Sequence, residues 1–222
     1  MSNLLLIKNY DIVKKLSDQS DEVSLDENLF EVLFSYKEKM LSKFGDIKGT
    51  FLIDHFALHI IDQENKILTF SASPSVEYNL FSQGLWKHDK SFSLRFQQEN
   101  RFYCWEKAYD HNYFNAIKQI KELNHGFNFG FNLSKKIESS QLIYSFATRS
   151  KINNLFDYYR EYVNELFAIG DYVYKHIHIS YTKKTGKKLI TPPLTNDHDK
   201  EHRISSPFLK LISFTNTKRN HK

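Results

Sequence analysis

Residues 122–136, ELNHGFNFGFNLSKK, place Gly126 and Gly130 inside an aromatic run, although the 222-residue chain has only seven glycines. From Phe127 the run alternates: Phe127, Phe129, Phe131 and Leu133 point one way, and Asn128, Gly130 and Asn132 the other. That period of two predicts a strand with one greasy face. Gly126 suits the left-handed turn that ends a helix and feeds a strand. Gly130 lacks a side chain on the face opposite the phenylalanines, which weakens a strand unless a helix or a ligand must approach closely there.

Working outward, residues 109–123 repeat Tyr113, Phe114, Ile117 and Ile120 at helical intervals, giving an amphipathic helix before the strand. QLIYSFATRS (141–150) predicts a second strand closing a hairpin. Upstream, FLIDHFALHIID (51–62) and KILTFSAS (66–73) predict another antiparallel hairpin. Leu29, Phe30, Leu33, Met40, Leu41 and Phe44 form a helical stripe over residues 28–44 that Gly45 ends, and Pro74 opens a short helix. A stripe from Ile152 to Ile177 predicts one long last helix over 151–178.

Hairpins interspersed with helices imply an α+β fold, an antiparallel sheet flanked by helices in the PAS/GAF-like α-β-α manner, with a long C-terminal helix. The expected organisation is an N-terminal extension (1–27), one domain (28–180) and a basic tail (181–222). Such sheets commonly hold a small molecule between sheet and helices.

The net charge of +5 is unevenly placed: residues 183–222 carry 10 Lys/Arg against 3 Asp/Glu, so the body is near neutral. That argues against a nucleic-acid groove on the body. The single cysteine, Cys104, excludes an internal disulfide and fits a reducing compartment. No apolar run reaches the roughly 18 residues of a membrane span, so a cytoplasmic location is expected. His55 and His59 lie four apart in a strand, too far apart for easy chelation without a third ligand, and no metal or cofactor is expected. No phosphate-binding loop, His-Glu-x-x-His pattern or Gly-x-Ser-x-Gly elbow occurs, and Cys104 has no local partner, so no enzyme activity is expected.

NHGFNFG (124–130), following an amphipathic helix, resembles the Phe-Gly-Leu-x-x-Gly segment of LuxR-type autoinducer-binding domains in quorum-sensing regulators. WKHDKSF (86–92) is similar to that family's Asp-Pro-Val segment, with Asp89 at the aspartate. Trp105 follows 16 residues later, close to the family's tryptophan, and the resemblance spans about residues 28–178. It implies a small apolar or amphipathic ligand, with Asp89 accepting its amide N–H, Trp105 packing on it, Ser145 bonding a carbonyl, and Tyr78 and Trp86 supplying donors or walls. Val76 stands where the family has its lactone-reading tryptophan, and Lys90 and Ser134 replace prolines, which argues against an acyl-homoserine lactone. Residues 183–222 hold Pro192-Pro193 and no amphipathic helix pair, so sequence-specific DNA binding is not expected of this chain. The implied function is a solitary sensor acting through a homodimer or a mixed dimer with a full-length regulator. The alternative is an interaction module with a filled core.

Overall fold

The structure, a computed structural model, describes residues 22–189. The expected tail from residue 190 onward, and the extension up to residue 21, lie outside the described residues.

The chain opens with β1 (Ser24–Leu25), α1 (Leu29–Ser35) and α2 (Lys37–Gly45). Leu29, Val32 and Leu33 bury the inner face of α1, and Met40 and Phe44 that of α2. The single helix predicted for 28–44 is broken at Tyr36. Its backbone leaves the helical region (φ −100°, ψ 1°), and its buried ring meets Phe70 and Tyr181 edge-on or tilted, 5.3 and 5.8 Å away. The hairpin of β2 (His55–Ile61) and β3 (Lys66–Ser71) follows. Asp62 sets its turn by accepting from the backbone N–H of Glu64 and Lys66 at 2.8 and 2.9 Å.

Then come α3 (Pro74–Ser82), α4 (Leu94–Glu99), β4 (Phe102–Cys104), α5 (Trp105–Ala108) and α6 (Phe114–Lys121). Pro74 occupies the first turn of α3, where its missing N–H costs nothing. Gly126, with φ 68°, turns the chain from the helical segment into β5 (Phe129–Ile137), which pairs along its length with β6 (Ser140–Thr148). The last elements among the described residues are α7 (Leu155–Glu161) and α8 (Val163–Thr185). The predicted long helix is present, interrupted at Tyr162, and it runs to Thr185.

The six strands of the described residues form one sheet in the order β1-β3-β2-β6-β5-β4, antiparallel throughout except for the short β1–β3 pair. Helices cover both faces, as the sequence predicts. The faces differ sharply in chemistry. On one, Phe56, Leu58, Phe70, Phe131, Tyr144 and Phe146 pack against α1, α2, α7 and α8 through residues such as Met40, Tyr159, Leu166 and Ile169. On the other, directly paired residues form small or polar rows. His55, Ala147 and Gly130 make one; Ser71, Ala57, Ser145, Asn132 and Tyr103 make the next; Thr69, His59, Ile143 and Ser134 make a third. This face lies under Val76, Leu80, Phe81, Trp86, Phe92 and Trp105.

The aromatic ribbon therefore belongs to the long-helix side. Phe131 stacks on Tyr159 with centroids 4.2 Å apart and on Phe146 at 5.1 Å. It does not floor a hollow beside Asp89. The opposite edge of the same strand, Gly130 and Asn132, faces that region instead, and Phe127, just before the strand, is the one aromatic of the run on that side.

Candidate functional site

Gly130 is bare because Trp105 lies on it. A Cβ built at Gly130 would fall among the ring atoms of the indole. Trp105 is the first residue of α5, immediately after β4, so the β4–β5 pairing carries its ring across the sheet surface. It is 1% exposed, and its Nε1–H is shared between Asn132 Oδ1 at 2.9 Å and Ser145 Oγ at 3.0 Å. Asn132 donates onward to Ser91 Oγ (3.0 Å) and to the Tyr103 hydroxyl (3.1 Å), which also accepts from Gln97 Nε2 at 2.6 Å. Burial pushes the Tyr103 phenol far above its ordinary value, so it stays protonated. The result is a connected polar network beneath the helices.

Asp89 sits between two short 3₁₀ turns, Leu85–His88 and Lys90–Phe92, and is 2% exposed. One carboxylate oxygen accepts from Ser91 N–H at 3.0 Å, capping the second turn. The other accepts from Lys121 Nζ at 2.8 Å. Lys121 ends α6, and its ammonium lies 4.4 Å from the centroid of Trp105 and 5.2 Å from that of Tyr109. A carboxylate and two aromatic faces thus surround one buried ammonium. The Tyr109 hydroxyl donates to Glu122 Oε1 at 2.8 Å, and burial raises the Glu122 carboxyl above its usual range.

A second polar group lies along β2. His59 Nδ1 is 3.0 Å from Thr69 Oγ1, and burial depresses its pKa to about 4. His55 Nε2 lies 3.2 Å from Glu77 Oε1, with both residues buried. Burial alone would raise the Glu77 carboxyl, but His55, His59 and the Ser71 hydroxyl together outweigh it and hold the group below its ordinary value. Among the described residues, His55 Nδ1 and Glu77 Oε2 find no hydrogen-bond partner.

Of the five residues the resemblance implicates, the structure brings Asp89, Trp105 and Ser145 together, with Lys121 and Asn132 between them. Trp86 is buried nearby, its ring 6.4 Å from Phe92. Tyr78 is 42% exposed and meets Phe30 and Phe34 at the outer surface of α3, away from the others. Ser145 Oγ accepts the indole N–H of Trp105. Sequence reasoning missed Lys121, whose signal was its place on the apolar stripe of α6, four residues after Ile117. It also missed Asn132, since the polar parity of β5 reads as a solvent face. Among the described residues no group of three or more His, Cys, Asp or Glu could hold a metal ion, and no helix is long and apolar enough to cross a membrane.

No family model and no curated protein matches the chain. The fold is similar to that of SdiA. The structure of SdiA in complex with octanoyl-rac-glycerol aligns over 83% of this chain and 77% of its own, at 13% identity and TM-score 0.45. A crystal structure of Escherichia coli SdiA aligns over 83% and 79%, at 13% identity and TM-score 0.44. SdiA is a LuxR-type autoinducer-binding regulator. At this identity the likeness concerns the fold alone, and nothing about ligand or partner follows from it.

Proposed function

We propose that this chain is a sensor-type domain of LuxR resemblance whose amide-reading site is filled from within and whose output is a protein contact, in the cytoplasm and without enzymatic activity. One observation carries the reading: the carboxylate that would read a ligand's N–H, Asp89, already holds the Lys121 ammonium, and Trp105 and Ser145 are bonded to each other. The outer face of α8, where Ile179 is 55% exposed, is the surface assigned to the contact. Titrating the full chain into a full-length LuxR-type regulator bound to its operator tests this. Mixed dimers on size exclusion, with weakened operator binding, are expected; a chain that stays monomeric and leaves the regulator's affinity unchanged removes the proposal.

A second reading, that the protein holds a small apolar or amphipathic ligand, is favoured by the buried His55 Nδ1 and Glu77 Oε2, which have no hydrogen-bond partner among the described residues. A ligand meeting these groups would be read along β2, not at Asp89. Native mass spectrometry of the purified protein decides it: a retained small molecule supports this reading, and a bare chain mass removes it.

A further inference from the structure

We propose that the hollow formed by Asp89, Trp105 and Tyr109 is a receptor for a primary alkylammonium group, and that Lys121 is its tethered occupant. The proposal deepens the filled-site reading above and rests on it. The site has the chemistry that selects an ammonium over a neutral donor. One buried carboxylate oxygen lies 2.8 Å from Nζ, and two ring faces lie 4.4 and 5.2 Å from it. The carboxylate's other oxygen is bound by the Ser91 N–H, so Asp89 is fixed in place before the cation arrives.

Lys118, one turn earlier on α6, makes the contrast. It pairs with Glu106 at the surface, the two side chains 33% and 45% exposed, as a solvated lysine ordinarily does. Lys121 is instead drawn inward, its side chain 6% exposed and that of Asp89 fully enclosed. A lysine is almost never buried this far unless a partner demands it. Because it is covalently attached, Lys121 competes at an effective concentration that a dilute soluble amine does not match. The site is therefore occupied in every folded molecule, and truncating Lys121 should make occupancy depend on an added amine.

The experiment uses the full chain with Lys121→Ala, whose missing atoms correspond to propylammonium. Thermal unfolding is followed with n-propylammonium chloride at about 10–100 mM, with 1-propanol and NaCl as neutral and ionic controls. The variant is expected to melt at least about 8 °C below the native chain. Propylammonium, but neither control, should recover about half of that loss in a saturable way, and should do nothing for the native chain or for Lys121→Ala combined with Asp89→Asn. Recovery no greater than with NaCl, or equal recovery in the Asp89→Asn background, overturns the proposal. If Lys121→Ala does not fold, its refolding yield with and without propylammonium gives the same answer: an amine-specific gain supports the proposal and an equal yield refutes it. The regulator titration reads surface contacts and is blind to this result, so the two ideas fail separately.

Discussion

The two faces of the sheet solve the same problem, covering a flat surface with helices, by opposite means. The long-helix face does it with bulk: Phe56, Phe70, Phe131, Tyr144 and Phe146 interlock with α7 and α8, and Gly170 of α8 is bare because the Tyr144 ring lies on it. The other face presents alanine, serine, threonine and Gly130, and large groups descend onto it from above: Trp105, and the Lys121 ammonium held by Asp89. The first face is held by area removed from water, which is tolerant in direction. The second is held by hydrogen bonds and charge, which are strict about geometry and costly when one partner is lost. On the second face the Asp89 carboxylate and the Trp105 indole N–H are both engaged by the protein's own residues.

Substitutions that separate the faces sharpen the contrast, and on the greasy side the loss is one of bulk. Phe131→Ala leaves a cavity beside Tyr159 and Phe146 and should lower stability by about 3–5 kcal/mol in urea unfolding. Comparable costs for Phe131→Ala and for truncating an exposed aromatic such as Phe34 would break the comparison. Acidification tests the polar side. In the unfolded chain His59 titrates near 6.5, and in the fold near 4, so between those values only the unfolded state takes up the proton. Stability should therefore fall by about 3 kcal/mol as pH drops from 6.5 to 4. Glu77, held below its ordinary value, adds a further loss in the acid range beneath that. His59→Gln should flatten the upper part of the profile.

Gly130→Ala should displace the Trp105 ring at a cost of about 2 kcal/mol and shift indole emission to the red, because Nε1–H then loses its two acceptors. Ser145→Ala should cost only about 1 kcal/mol, since Asn132 still accepts from the indole. Tyr78→Ala, at an exposed site, should stay within about 0.5–1 kcal/mol of the native chain.

Much of the fold was legible. Both hairpins, the Pro74 helix, the turn at Gly126 and the long last helix follow from local patterns, and Gly130 announced a close approach. What period-two alternation cannot say is which side of a doubly covered sheet each parity faces. Both layers are buried, so only tertiary packing tells that Phe129 and Phe131 of β5 face the long helix and not Asp89. The breaks at Tyr36 and Tyr162 have no Gly or Pro beside them, so no local signal marked them. Asp89, Trp105 and Ser145 were found through motif spacing. Lys121 was overlooked because a lysine in an amphipathic helix is ordinarily solvated, as Lys118 is.

The central claim is that Lys121 seals Asp89, and a double-mutant cycle with Asp89→Asn and Lys121→Met, read by urea unfolding at pH 7, addresses it most directly. Each single change should cost about 3–5 kcal/mol by stranding a buried charge or an ill-matched amide, and the double variant should recover most of that, for a coupling of about 2 kcal/mol or more. Additive losses, with coupling near zero, would contradict the account and return Asp89 to the pool of groups open to a ligand.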